Sequence, residues 1–165
     1  MARDPLEKEL VGPAGEHYIL YRLFLKGFLA AFTPPGLRQY DILVLTPSRD
    51  GSSEDVAATV QVKTITRGNG WPMQRKHEDV YSERFFYAFV GLRVDPPDVY
   101  LVPSRVVADV LRRSHQTWLD TPGRGGRSHV DNPMRRLRPH YEFPVDGYPP
   151  GWLEQYREAW ESLKP

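Results

Sequence analysis

Apolar residues between Pro13 and Phe32 recur at spacings of three and four. Ala14, Tyr18, Tyr21, Leu25, Phe28 and Phe32 make one stripe, and Ile19, Leu20 and Leu23 make a second on nearly the opposite side. That period predicts a helix from about Pro13 to Phe32, apolar on two sides and therefore sandwiched between a sheet and a further layer. Arg22 and Lys26 share its narrow polar face, and Glu16 falls in its first turn on the side of Leu20 and Leu23.

Beyond the turn residues Thr33-Pro34-Pro35-Gly36 the pattern changes. Tyr40–Thr46 is a continuous apolar run carrying Asp41 at its start, the pattern of a strand buried on both faces. Pro47–Asp55 reads as a polar, hairpin-like connection. Ala57–Ile65 predicts a second strand, with Val60 and Val62 on one face and Gln61 and Lys63 on the other. Gly68-Asn69-Gly70 breaks the chain, and a polar stretch follows to about Glu83. Phe85–Leu92 predicts a third strand, and Val99–Val102 a fourth after Pro96-Pro97. Ser104 is placed to cap a helix to about His115, with Val106, Val107, Val110 and Leu111 inward. Thr121–Pro150, rich in proline and without period, predicts a long loop. Trp152, Leu153, Tyr156, Trp160 and Leu163 are spaced as a final amphipathic helix docking on the body. At 165 residues the expectation is one α/β domain, with a core over residues 1–120 and a loop-rich extension over 121–165 that ends in that helix.

Composition narrows the chemistry. The chain has no cysteine, which excludes disulfides, thiolate metal sites and cysteine nucleophiles and favours a reducing compartment. The opening MARDPLEKEL lacks the apolar core of a secretory signal, and no apolar run approaches a membrane span, so a cytoplasmic protein with no membrane partner is expected. The five histidines show no close ligand spacing, which argues against a histidine zinc site. Glu78, Asp79 and Glu83 read as a solvated helix face. Gly123–Arg127 matches neither a P-loop nor a dinucleotide fingerprint, and no Gly-x-Ser-x-Gly nucleophile elbow is present. Net charge is only +1, yet Lys63, Arg67, Arg75 and Lys76 follow one another with no acid among them. Arg124, Arg127, Arg135, Arg136 and Arg138 stand against Asp131 alone. Two basic stretches in a near-neutral chain are a candidate phosphate-binding footprint, or solvated loop charge.

Asp41 and Lys63 are the polar groups hardest to place. A charge beside an apolar run is costly to desolvate unless it is paired or holds a metal. Gln61 and Lys63 share a face by the period of two, and a hairpin pairing of the two strands brings Asp41 beside it. Carboxylate and amide oxygens suit a hard cation such as Mg²⁺, and an ammonium stabilises charge growing on a phosphate. Each residue alone has a plain alternative. Asp41 fits a strand-end aspartate bonded to backbone, Lys63 a snorkelling edge-strand lysine, Gln61 an ordinary strand residue, and Glu16 a helix-dipole acid.

In that order, Gly15-Glu16 on a helix, Tyr40-Asp41-Ile42-Leu43-Val44 opening a strand and Gln61-Val62-Lys63-Thr64 within the next, the chain resembles the PD-(D/E)xK, restriction-endonuclease-like superfamily over about residues 10–115. The resemblance implies a mixed β-sheet flanked by helices and a metal-dependent nuclease hydrolysing nucleic-acid phosphodiester bonds, with DNA favoured over RNA and a homodimer allowed. It implies Mg²⁺ or Mn²⁺ held by Asp41 and Gln61, Lys63 as the catalytic lysine, and Glu16 as an accessory acid on a water or a second metal. Arg67, Arg75 and Lys76, with Trp71 between them, would grip the nucleic-acid backbone or stack on a base. Two positions depart from the pattern: Tyr40 replaces a proline, and Gln61 replaces the commoner Glu or Asp, which weakens the hold on a dication. Members with Gln include enzymes, and degenerate members exist, so a catalytically inactive nucleic-acid- or protein-binding module is the alternative. A third reading, from the Trp/Tyr-rich C-terminal region, is an assembly protein.

Overall fold

The structure is a computed structural model that describes residues 7–34, 36, 39–45 and 56–164. The first helix, α1 (Lys8–Leu25), buries Ile19 and Leu23 but ends earlier than the apolar stripe suggests. Gly27 adopts φ +81°, the left-handed conformation glycine takes without steric cost. Around it the Phe28 N–H bonds the Leu23 carbonyl and the Gly27 N–H bonds that of Phe24, both at 3.0 Å, the Schellman closure of a helix. Phe28 and Phe32 therefore continue a helical spacing without continuing the helix. Residues 29–32 form β1 (Leu29–Phe32) instead.

β1 pairs antiparallel with β2 (Ile42–Leu45), and β2 pairs antiparallel with β3 (Val56–Ile65), with Ile42 opposite Val60. In β2, Ile42 and Val44 are buried while Leu43 and Leu45 are half-buried, so this strand is covered fully on one face only, not on both as its composition suggests. The Pro47–Asp55 connection lies outside the described residues.

After Gly70 come β4 (Trp71–Gln74), which sequence reading left inside a polar stretch, and a short 3₁₀ turn over Arg75–Glu78. β5 (Phe85–Gly91) is buried at all seven positions. It lies parallel to β3 and antiparallel to β6 (Asp98–Pro103). The β4 segment is the crossover that a parallel pair requires. Five strands in the order β1-β2-β3-β5-β6 thus make a mixed sheet flanked by helices.

α2 (Ser104–Asp120) follows directly. Ser104 is its first residue rather than its cap, and its hydroxyl exchanges hydrogen bonds with the Ser82 backbone at 3.0 Å. The supposed loop after residue 121 supplies β7 (Met134–Leu137), which pairs antiparallel with β4. The C-terminal helix is instead two 3₁₀ turns, Trp152–Tyr156 and Trp160–Leu163. They are separated by Arg157 in extended conformation and Glu158 at φ +53°, which no helix accommodates. Both turns dock as their apolar spacing suggests. Arg22, expected on a solvent face, is tied to the Glu158 carboxylate and lies over the Trp160 ring.

The sheet separates two cores. Val60, Val62, Phe86, Ala88 and Val90 face α1, Trp160 and Leu163. Phe85, Tyr87 and Phe89 face α2, the β4–β7 ribbon, Trp152 and Leu153. Among the described residues no helix is long and apolar enough to cross a membrane.

Candidate active site

Asp41 lies where β2 parts from β3. Its N–H bonds the Val60 carbonyl at 2.9 Å, and its carbonyl accepts from the Thr33 N–H at 3.0 Å. Its backbone is thereby fixed between β1 and β3. The carboxylate reaches one step further along β3, and Oδ2 accepts the Val62 N–H at 2.7 Å. One oxygen thus does the structural work anticipated for a strand-end aspartate, and the other accepts no hydrogen bond among the described residues.

Gln61 and Lys63 flank Val62 and point away from the α1 core. Their parallel-register partners on β5 are Tyr87 and Phe89. Both Gln61 and Lys63 are half-buried, and neither side chain has a hydrogen-bond or ion-pair partner among the described residues. Glu16 arrives from α1. The helix begins at Lys8, so Glu16 is past the first turn, correcting its expected place there. A helix-dipole role, confined to the first turn, no longer accounts for it. Its neighbour Gly15 marks the closest approach of α1 to β3: a Cβ there would meet Thr64 Oγ1 at 1.9 Å. Glycine at 15 therefore sets how near Glu16 stands to the strand.

These side chains feel one another's charge. Burial holds the Glu16 carboxyl above the ordinary carboxylate range, and Asp41 beside it adds to the shift, against the smaller pull of His17 and Lys63. Burial also raises Asp41, opposed by the Val62 N–H and by Lys63. Burial lowers the Lys63 ammonium; Asp41 and Glu16 oppose this, while Lys76 reinforces it. Two half-buried carboxylates beside one lysine are an arrangement that an added cation relieves.

His77 is the residue that sequence reading missed. It is 6% exposed, stands edge-on to the Tyr87 ring at 6.0 Å and accepts the Gln74 N–H on Nδ1 at 2.9 Å. Burial and the nearby charge of Lys63 push it down to about 4. The spacing of histidines along the chain carried no sign of it, because the link to Lys63 runs through a turn that folds back over β5.

The basic residues divide. Arg67 and Lys76 are exposed, with no hydrogen-bond or ion-pair partner among the described residues, while Arg75 lies 3.6 Å from Asp131. Trp71 is 2% exposed. Its ring packs on Phe89 and Tyr100, and its indole N–H donates to the Val90 carbonyl at 3.0 Å. The stacking expected of it has no free ring face to act through. Glu78, expected on a solvated face, is buried in an ion pair with Arg135.

Two carboxylates (Glu16 and Asp41) and the Gln61 amide are oxygen donors, too few for a closed protein cage but compatible with an ion such as Mg²⁺ that keeps several waters. Among the described residues, no three His, Cys, Asp or Glu side chains form a metal cluster.

No family model matches the chain, and no curated protein does. Among solved structures, a bacterial homing endonuclease, I-Ssp6803I, superposes with a TM-score of 0.49 at 16% identity, over 94% of this chain and 91% of that one.

Proposed function

We propose that the protein is a metal-dependent nuclease of the PD-(D/E)xK, restriction-endonuclease-like type in a Gln-x-Lys variant, hydrolysing phosphodiester bonds in nucleic acid, with DNA as the substrate. The observation that supports this best is the meeting of Glu16, Asp41 and Lys63 from three different elements at the point where β2 leaves β3. Asp41, Gln61 and Glu16 hold Mg²⁺ or Mn²⁺, which when bound supplies Lewis acidity to the phosphate and a nucleophile at neutral pH. Lys63 lies on the Gln61 side of the strand and places positive charge where negative charge grows on the phosphoryl oxygens. Arg67 and Lys76 hold the flanking backbone.

The test is cleavage of duplex and single-stranded DNA and RNA panels in Mg²⁺ and Mn²⁺, comparing the natural chain with Lys63→Ala and Asp41→Asn. Cutting by the natural chain alone is the expected result. No cutting above the variants, together with no heat of metal binding by calorimetry, overturns the proposal.

The amide at position 61 favours a second reading, a module of the same fold that binds nucleic acid without cutting it. Salt-sensitive retention on DNA in the absence of any cleavage would support that reading.

A further inference from the structure

We propose that the outward face of the β4–β7 ribbon reads base edges in the major groove of duplex DNA, close to the bond addressed by Asp41 and Lys63. The inference rests on the nuclease reading for its substrate class and adds the element that reads sequence.

The ribbon has two unlike faces. Trp71, Met73, Arg135 and Leu137 point inward and are buried. Pro72, Gln74, Met134 and Arg136 point outward and are exposed, with Pro72 opposite Arg136 and Gln74 opposite Met134. Met134 is 71% exposed on this face. The Arg136 guanidinium is the kind of group that recognises a guanine edge, and a thioether meets a thymine methyl. The Gln74 side chain accepts the His77 N–H of the following turn, which leaves its amide N–H₂ to donate to a base edge. The Arg136 side chain has no hydrogen-bond or ion-pair partner among the described residues, so its donors are free for a ligand.

Size and placement agree. Two strands about 4.8 Å apart, each four residues long, make a ribbon that a major groove about 12 Å wide admits. The deep, narrow major groove of double-stranded RNA does not admit it. Lys76 follows one end of the ribbon, and Arg67 precedes the other through Gly68–Gly70. Both are exposed and suited to phosphates on either side.

The ribbon is also held rigidly against the candidate active site. Arg135 is a buried charge that turns inward to bind the Glu78 carboxylate. It also donates to the Asn132 carbonyl at 2.6 Å and the Met134 carbonyl at 2.9 Å. The Glu78 carbonyl in turn accepts from Arg112 of α2 at 2.7 Å. Glu78 closes the turn whose His77 packs on Tyr87, the register partner of Gln61. A buried pair of this kind contributes little net stability but fixes one arrangement. What it fixes here is the position of the reading face relative to Lys63.

The experiment selects binders from a randomised duplex DNA pool using the full chain with Lys63→Ala, beside matched single-stranded DNA and double-stranded RNA pools. Enrichment of a sequence motif from duplex DNA alone is expected. Gln74→Ala and Arg136→Ala, checked for unchanged melting, should each lower discrimination at one or two positions of that motif by on the order of tenfold. Arg67→Ala and Lys76→Ala should weaken binding to all sequences and reduce the salt slope by about 0.9 for each phosphate no longer neutralised. A motif unchanged by the Gln74 and Arg136 variants overturns the inference, as does enrichment only from the single-stranded or RNA pools, or none at all. A motif that depends on Gln74 and Arg136 in a protein that cuts nothing would sink the nuclease reading alone.

Discussion

The Asp41 carboxylate accepts the Val62 N–H at 2.7 Å and so takes the place of a β2 backbone partner just where that strand runs out. A single side chain thereby ends one strand pairing and stands beside the two residues, Gln61 and Lys63, on either side of its partner. Structural and chemical duties are combined in Asp41, and suitable substitutions separate them.

Asp41→Ala leaves the Val62 N–H without an acceptor and should cost about 1–3 kcal/mol of stability. Asp41→Asn keeps an acceptor oxygen and should cost under half as much, yet remove cleavage as completely. Urea denaturation of both variants beside the cleavage assay measures this; equal destabilisation would mean that the hydrogen bond is not what holds the strands at their fork.

Burial raises both Glu16 and Asp41 above the ordinary carboxylate range, and the charge of Asp41 adds to the shift at Glu16. Between the ordinary carboxylate value and the raised one, the folded chain binds more protons than the unfolded chain, so stability falls as pH rises through that window. Glu16→Gln should raise the melting temperature at pH 7 and flatten this fall, while weakening cation binding. Thermal melts at a series of pH values decide it, and a lower melting temperature for Glu16→Gln at pH 7 would refute the argument.

His77 carries the opposite sign. Its folded value of about 4 lies below the ordinary 6.5, so the unfolded chain binds more protons in between and stability is lost as pH falls through that range. The largest loss is about 3 kcal/mol. His77→Gln should remove the acid-sensitive limb between pH 6.5 and 4. A limb of equal steepness in that variant would assign the effect to other groups.

Gln61→Glu adds the carboxylate that a tighter Mg²⁺ site needs, beside two carboxyls already raised by burial. Without a cation the variant should melt lower than the natural chain. With Mg²⁺ it should recover and bind the ion on the order of tenfold more tightly. Calorimetric titration provides the check, and an unchanged affinity would place Gln61 outside the cation site.

Gly15→Ala should destabilise the fold by about 1–3 kcal/mol through overpacking against Thr64 and lower activity by moving Glu16. Adding Thr64→Ala removes the atom 1.9 Å from the new Cβ but leaves the Thr64 Cβ at 2.9 Å, so recovery should be partial. Full stability in the single variant, measured by denaturation, would show that α1 has room to move.

Asp41, Gln61 and Lys63 could be singled out in the sequence because their signals are local. A charged residue at the mouth of an apolar run marked Asp41, and alternation along β3 placed Gln61 and Lys63 together. The fully apolar run from Phe85 likewise announced a strand. Spacing alone misled where a backbone conformation intervened. Gly27 closed α1 while Phe28 and Phe32 still kept its period, and Glu158 broke the C-terminal helix without disturbing its apolar pattern.

What the tertiary structure decided is long-range. β4 and β7 are four residues each and lie sixty residues apart in the chain. Neither has a pattern strong enough to stand without the other, so pairing alone reveals the ribbon. The same pairing buried Trp71 and turned Arg135 inward, leaving Gln74 and Arg136 facing out. The folding-back of the Arg75–Glu78 turn brought His77 to Lys63. Local periodicity determined which side chains share a face; loop closure and packing determined which faces meet.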